Sequence, residues 1–427
     1  MILFNGQLLP DAQIDSVIKS LPDFCIQTIT EQKINASDII RACGILSEQI
    51  QQGTYSRFLN PLIEQGIFTK HQLEEAVQFF HRENLEYKYQ TELGNLMKDM
   101  EELHPPGQAG IIKRQYMPLG ILFHIAAGNA EGLPFYSVIE GLLAGNINIL
   151  KLPSKDDGLS VFLLRELTKL CPDIAPYITV VDIPSSNPSL LQKFGHMADA
   201  IVVWGGDDAI RAVRNLADTQ TQIISWGHKL SFAYAAPDAP EPELRKLARH
   251  ICETNQLLCS SCQGIFVDTE DLPAVENMGL RFLSFLEEES RQYPKPPLGI
   301  RGKISISLYN EELEAAASHK KVLRGNGVSV ILANDHKLEL SYMYRNCWVK
   351  PLPRRDIIKA LKPYRGHLQT AALLCRGEDR PYLEQQLLKS GVIRITDAER
   401  MSAMVTGGTH DGEYPLRRYS RIVEIYE

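Results

Sequence analysis

The residues best suited to chemistry are two cysteines three apart, in Thr254-Asn-Gln-Leu-Leu-Cys259-Ser-Ser-Cys262-Gln-Gly-Ile-Phe-Val-Asp268. Small polar residues surround them, and a strand-like apolar run, Ile265 to Val267, follows. A cysteine delivered by a loop at a sheet edge can reach a ligand, whereas one inside a strand usually cannot. A thiolate attacks an acyl carbonyl well and leaves well afterwards, so Cys259 is the candidate nucleophile. The same residues permit three blander readings: a small buried hydrophobe, a redox dithiol, or half a zinc site. Zinc would need two more soft ligands at regular spacing. His250 and Cys252 lie nearby, but on a predicted helix and with no second paired set, so no metal site is assigned.

The elements that must position this loop follow from the texture of the chain. Apolar residues at helical spacing in Ile14 to Leu21, Ala36 to Ile50 and Leu73 to Phe80 predict a mostly helical lead segment. Ser37 and Thr69 read as helix starts, and Pro105-Pro-Gly107 ends the segment. From Ile111 strands alternate with helices: Gly120 to Ala127, Ile147 to Leu152, Ile178 to Ile183 and Ala200 to Trp204 are strands, with helices between them. That alternation predicts a parallel, doubly wound sheet with ligands at the carboxyl ends of its strands. No Gly-x-Gly-x-x-Gly is present, which counts against an ordinary Rossmann site. After the strand Leu230 to Ala236, Pro237 to Pro242 reads as a domain hinge, and a second α/β unit follows. The expected domains are a helical segment over 1–104, a dinucleotide-binding α/β domain over 105–236, a catalytic α/β domain over 237–408 and a tail over 409–427.

Bulk properties remove several function classes. The chain has 427 residues, 44% hydrophobic and 23% charged, which suits a globular protein of two or three domains. Lys and Arg number 45 against 52 Asp and Glu, a formal net charge of −7. No overall basic field exists for nucleic acid or an anionic membrane. No apolar run approaches the ~20 residues needed to span a bilayer. Eight cysteines in a chain this long fit a reducing cytosol better than a disulfide scaffold, and the N-terminus lacks a signal-peptide pattern. The expected location is therefore cytoplasmic.

Four patches in order resemble the aldehyde dehydrogenase superfamily: Pro118-Leu-Gly-Ile with His124-Ile-Ala-Ala-Gly-Asn129; Gly141-Leu-Leu-Ala-Gly-Asn146 with Ile149-Leu-Lys151-Leu-Pro-Ser154; Val202-Val-Trp-Gly205-Gly206; and Asn255 to Cys259. The run Asn-Gln-x-x-Cys-Ser-Ser-x-Gln, Asn255 to Gln263, is similar to the branch of LuxC-like acyl-CoA reductases, the fatty acid reductases. The resemblance implies two doubly wound α/β domains of aldehyde dehydrogenase-like fold, with the helical segment packed alongside and the site in the cleft between the domains. It implies a covalent mechanism: Cys259 attacks a thioester, the thiol leaves, and a hydride from NADPH reduces the acyl-enzyme to an aldehyde. Asn129 would be the oxyanion-hole donor, worth ~3–4 kcal/mol of barrier. Lys151 would hold the adenosine ribose, Gly205 and Gly206 would let the backbone approach the pyrophosphate, and Gly227 is counted with these cofactor contacts. Asn146 reads as either a turn residue or a framework contact, with the turn preferred.

Two departures from the family pattern sharpen the reading. Aldehyde dehydrogenases carry a glutamate that activates water for deacylation, but the corresponding run here, Ile224-Ser-Trp-Gly227-His-Lys229, has no acid. Its absence disfavours hydrolysis and favours a thioester substrate, an acyl-CoA or acyl-carrier; His228 is the nearest side chain able to act as an acid or base, with a ribose contact as its other reading. The family also often has an acid three residues after the lysine. Here Ser154 stands there, followed by Lys155. Losing a negative charge and gaining a positive one suits a 2′-phosphate, hence NADPH before NADH. The rival readings are an oxidising aldehyde dehydrogenase and a non-catalytic acyl-binding subunit of the same fold. Family members work beside an acyl-supplying synthetase, and a homo-oligomer is compatible with the chain. Cys262 is open to disulfide formation with Cys259 on oxidation; Cys25, Cys43, Cys171, Cys347 and Cys375 read as structural.

Overall fold

The structure, a computed structural model, describes every residue except Gly66, Leu96, Lys98, 108–109, 127–131, 154–156, His319 and Met404, and the side chains of His71 and 315–318. Two compact units emerge, Met1–Gly227 with Val405–Glu427, and His228–Met404.

The first unit opens with β1 (Ile2–Phe4) and β2 (Gln7–Leu9), a hairpin turning on Asn5 and Gly6, both at positive φ. Asn-Gly at such a turn matches the twist of the flanking strands. Five helices follow: α1 (Ile14–Glu31), α2 (Ala36–Gln51), α3 (Ser56–Glu64), α4 (Lys70–Phe79) and α5 (Arg82–Glu92). Local chemistry fixes their starts. Asn35 caps α2 by accepting from the Ser37 N–H at 2.9 Å, and Thr69 with Gln72 forms a reciprocal capping box on α4. The buried face of α2 carries Ile39, Ile40, Cys43, Leu46 and Ile50, the spacing of an amphipathic helix.

The chain then passes through β3 (Glu101–Leu103), β4 (Ile112–Pro118), β5 (Ile121–Ile125), α6 (Leu133–Leu143), β6 (Ile147–Lys151), α7 (Leu159–Leu170), β7 (Ile178–Val181), α8 (Pro188–Met197), β8 (Ala200–Trp204), α9 (Asp207–Arg214) and β9 (Gln222–Trp226). The large sheet runs β2-β1-β7-β6-β5-β8-β9, parallel from β7 to β9. Counted from β5, the parallel strands stand in the order 3-2-1-4-5. Such sheets reverse direction between strands 1 and 4, and the crevice at the carboxyl ends there is where a ligand is expected. Strands β6 and β8 are buried along their whole length, because helices cover both faces.

The second unit contains β10 (Leu230–Ala235), α10 (Glu241–Thr254), β11 (Cys262–Val267), α11 (Leu272–Ser290), α12 (Leu298–Ser318), β12 (Lys320–Arg324), β13 (Ser329–Ala333), β14 (Asn346–Pro351), α13 (Ile357–Leu361), β15 (Leu368–Leu374), α14 (Arg380–Ser390) and β16 (Arg394–Thr396). Its sheet runs β12-β13-β14-β11-β10-β15-β16, parallel except for the edge pair β12–β13. One face packs on α10 and α11 through Leu247, Ile251, Met278 and Phe282; the other buries Phe232, Phe266 and Trp348. The chain returns to the first unit with α15 (Pro415–Arg418) and β17 (Ser420–Tyr426), which pairs antiparallel with β4.

The unit boundaries differ from those expected. The division falls after Gly227 rather than at 237, because β10 hydrogen-bonds to β11 and β15 of the second sheet. Pro237 to Pro242 runs from the end of β10 into the first turn of α10, inside that unit. The lead segment is not a separate layer: its Leu21, Cys25, Ile39 and Cys43 share one core with Phe123, Ile149 and Leu164. Asn146 is more than a turn residue. It is buried, accepts from the Gly120 N–H at 2.9 Å and donates to the Tyr419 carbonyl at 2.9 Å, joining the first βαβ unit to the returning tail.

Candidate active site

The cysteine stretch is the connection from α10 to β11. Helix α10 ends on Asn255 in the left-handed conformation, followed by Gln256, also at positive φ. Asn tolerates that region and Gln rarely adopts it. The Thr254 hydroxyl donates to the His250 carbonyl at 2.9 Å, and the Leu257 N–H bonds the Thr254 carbonyl at 3.1 Å. A tight turn spans Leu258 to Ser261, with the Ser261 N–H on the Leu258 carbonyl at 2.9 Å and the Leu258 N–H on the Ser261 hydroxyl at 3.1 Å. Cys259 is on that turn and exposed, between the exposed Leu257 and Leu258, each 49% accessible, and the half-buried Ser260.

Strand β11 begins at Cys262, not at Ile265 as the apolar run suggested. The two cysteines therefore have opposite environments three residues apart. Cys262 is fully buried, its thiol 3.2 Å from the Gly264 carbonyl, and burial pushes its pKa up to about 12. It is no nucleophile at neutral pH. Of the eight cysteines Cys259 is exposed, Cys375 half-buried and the other six buried.

Below the turn, β10 changes register at Ser231 against both its neighbours. Bulges of this kind re-aim side chains beside active sites. The Ser231 hydroxyl donates to the Cys259 carbonyl at 2.7 Å and accepts from the Thr370 N–H at 3.1 Å. The Cys259 backbone is thus tied to two neighbouring strands, β10 and β15. Neither Ser231 nor Thr370 was singled out from the sequence; their only signal there is polarity inside otherwise apolar strands.

His250, weighed above as a zinc ligand, has a structural role. Its Nε2 accepts from the Cys262 N–H at 3.4 Å, which requires the neutral ring, and burial lowers its pKa to about 4. The unfolded chain has His near 6.5, so it binds the extra proton between about pH 4 and 6.5 and gains from it. This contribution is complete above pH 6.5 and is lost as pH falls toward 4, amounting to roughly 2 kcal/mol at pH 5. Urea unfolding of the second unit at pH 7.5 and 5 is expected to show that loss. His250→Gln, which keeps an acceptor but cannot titrate, is expected to flatten it.

The residues assigned to a cofactor gather separately, in the first unit. Lys151 ends β6, Gly205 and Gly206 follow β8, and Gly227 follows β9: all are at the carboxyl ends of parallel strands, and of these β8 borders the 1-4 reversal while β6 and β9 each stand one strand further out. Lys151 is buried and donates to the Ser185 hydroxyl at 3.0 Å; burial lowers its pKa while Asp182 opposes that shift. A side chain on Gly205 would come within 3.0 Å of the Ala209 Cβ, and one on Gly227 within 3.2 Å of the Ile210 Cδ1, so both are closely packed. One on Gly206 would meet nothing within 4 Å. Of these three glycines, Gly206 is the one with open space beside its Cα. The first turn of α9 carries Asp207 and Asp208, which already complement the positive end of that helix. Asn129, Ser154 and Lys155 lie outside the described residues. His228 is half-buried, and its carbonyl accepts from His367 Nδ1 at 3.1 Å.

A family model described as acyl-CoA reductase (LuxC) matches residues 34–422. The long-chain acyl-protein thioester reductase of Aliivibrio fischeri is 25% identical over 336 residues, 76% of this chain and 67% of the relative. That of Vibrio harveyi is 25% identical over 341 residues, 78% of this chain and 69% of the relative. Among solved structures, methylmalonate-semialdehyde dehydrogenase from Oceanimonas doudoroffii superposes with a TM-score of 0.74 at 14% identity, covering 100% of this chain and 97% of its own. Lactaldehyde dehydrogenase from Escherichia coli gives 0.69 at 13% identity, covering 100% and 98%. The fold is aldehyde dehydrogenase-like, as the four sequence patches implied. No helix among the described residues is long and apolar enough to cross a membrane.

Proposed function

The chain belongs to the acyl-CoA reductase (LuxC) family, and we propose that it reduces an acyl thioester to an aldehyde through a thioester on Cys259, with NADPH as reductant. The observation that carries this reading is the contrast within one motif: Cys259 exposed on a braced turn, Cys262 sealed in a strand. The Cys259 thiolate forms a carbon–sulfur bond to the substrate carbonyl, and the thiol of coenzyme A or a carrier leaves with its bonding pair. When bound, the reduced nicotinamide supplies a hydride to the acyl carbon. The resulting hemithioacetal oxyanion collapses, releasing aldehyde and restoring the Cys259 thiolate. Asn129 is assigned the N–H that meets the oxyanion. Leu257 and Leu258 give the nucleophile an apolar border, the chemistry that suits a fatty acyl chain.

The buried ammonium of Lys151 and the open side of Gly206 fit a dinucleotide, with Lys151 on the ribose and Gly206 at the pyrophosphate. Ser154 and Lys155 are assigned the 2′-phosphate. The run Ile224 to Lys229 offers no carboxylate to activate water, so the acyl-enzyme waits for reduction.

Mixing the protein with acyl-CoAs and no reductant is expected to add the mass of one acyl group to the peptide carrying Cys259. NADPH is expected to discharge it as aldehyde, with kcat/KM at least tenfold above that with NADH. An adduct absent at every chain length would defeat the mechanism, and equal efficiency of the two cofactors would defeat the assignment of Ser154 and Lys155.

A further inference from the structure

The Asn255–Gln263 motif contains two glutamines for which the mechanism has no use, Gln256 and Gln263. Both are buried, and both bond to Ser341, a half-buried residue in the irregular connection before β14. Gln256 Nε2 donates to the Cys262 carbonyl at 3.0 Å and to the Ser341 hydroxyl at 3.0 Å. Its Oε1 accepts from the Arg345 N–H at 3.0 Å. Gln263 Nε2 donates back to the Gln256 carbonyl at 3.2 Å, while its Oε1 accepts from the Ser341 N–H at 3.1 Å and its hydroxyl at 2.8 Å. The Ser341 hydroxyl also accepts from the Met343 N–H at 3.0 Å. Two donors point at that oxygen, so its single proton must go to Gln263, and the orientation of every group in the clamp is determined.

Backbone strain gathers at the same place. Met343, Tyr344 and Arg345 are three consecutive left-handed residues, facing the left-handed Asn255 and Gln256; the Tyr344 N–H bonds the Asn255 carbonyl at 2.9 Å. These are five of the seven non-glycine positive-φ residues among those described. Strain of this kind persists only where surrounding bonds over-determine it, and it concentrates at functional sites.

We propose that Ser341, acting through Gln256 and Gln263, is a positioning residue that holds the Cys259 turn in its reactive shape. The inference rests on Cys259 being the nucleophile. The Ser341 hydroxyl locks the two glutamines that bracket Cys259 in sequence, and the left-handed turn after it locks the residues where α10 ends. Removing the hydroxyl leaves each amide another partner, the Cys262 carbonyl for Gln256 and the Ser341 N–H for Gln263, so the fold should survive while the turn loosens.

The test compares wild type, Ser341→Ala and Ser341→Thr, using decanoyl-CoA as the acyl probe. The rate of Cys259 acylation and kcat are expected to fall at least tenfold in Ser341→Ala with KM for NADPH unchanged. In Ser341→Thr, which restores the hydroxyl, both are expected to return to within threefold of wild type. Should Ser341→Ala not fold, Ser341→Cys, with a weaker donor of similar shape, carries the same comparison. Acylation in Ser341→Ala within threefold of wild type, or no recovery in Ser341→Thr, overturns the positioning role and leaves Cys259 as nucleophile. No adduct on Cys259 in the wild type removes the nucleophile itself, and this inference with it.

Discussion

Cys259→Ala is expected to lower aldehyde formation by roughly 10⁴ or more and to abolish the acyl adduct, the scale of loss seen when a covalent nucleophile is deleted. The residue is exposed on a turn, and truncating it opens no cavity, so the thermal transition should stay within a degree or two of wild type. Cys262→Ala should behave in the opposite way. Its thiol is sealed among apolar side chains in β11, and burial keeps it protonated. Deleting it is expected to cost about 1 kcal/mol of stability and to leave activity within a few-fold. The pair is informative because the substitutions are chemically identical and three residues apart; only the environment differs. Measuring acylation by intact mass and stability by melting on both variants separates chemistry from packing. Substantial activity in Cys259→Ala would end the covalent mechanism.

Much of this contrast could be read from the sequence, and the parts that could not have physical reasons. The strands of the first unit announce themselves as short apolar runs because helices cover both of their faces. The apolar run marks β11 only from Ile265, because Cys262 and Gln263 do not look like strand residues, yet both are buried there. Asn5-Gly6 is a strong local hairpin signal, whereas the pairing of β1 with β7, some 175 residues away, leaves no local trace. A proline-rich segment marks a chain turn whether or not a unit ends there, and Pro237 to Pro242 is such a turn inside the second unit. Helix α12 leaves little trace in the sequence, because Gly299 and Gly302 dilute its periodicity and few of its described residues are buried. Ser341 could not be found from sequence at all. Its role comes from three hydrogen bonds at its hydroxyl, made by residues from two parts of the chain.

Substituting Lys88 is expected to destabilise the first unit strongly. Lys88 and Glu92 lie on α5 and Glu140 on α6, and all three are buried. The Lys88 ammonium pairs with Glu92 and lies 3.0 Å from Glu140. Glu92 also accepts from the Leu416 N–H at 2.8 Å, so one cation helps hold the lead helices, α6 and the returning tail together. Burial works against the charge on Lys88, but Glu140, Tyr136 and Glu92 outweigh it and its pKa is raised. Burial raises Glu140 to about 7 despite Lys88, with Glu92 adding to the shift. Two carboxylates already share one ammonium. Lys88→Met leaves both without it, and breaking a buried pair in this way costs about 3–5 kcal/mol. The sign of the pH dependence follows. Without Lys88 the carboxylates titrate in the folded state even further above their unfolded value near 4.5, so folding loses stability as pH rises through that window. The deficit should be full at pH 8 and shrink toward pH 5, where protonation neutralises the stranded groups. Adding Glu140→Gln to Lys88→Met removes one stranded charge and should recover a good part of the loss at pH 8 and little at pH 5. Urea unfolding of the three proteins at both pH values measures this, and a Lys88→Met deficit that is below 1 kcal/mol, or that grows on acidification, would contradict it.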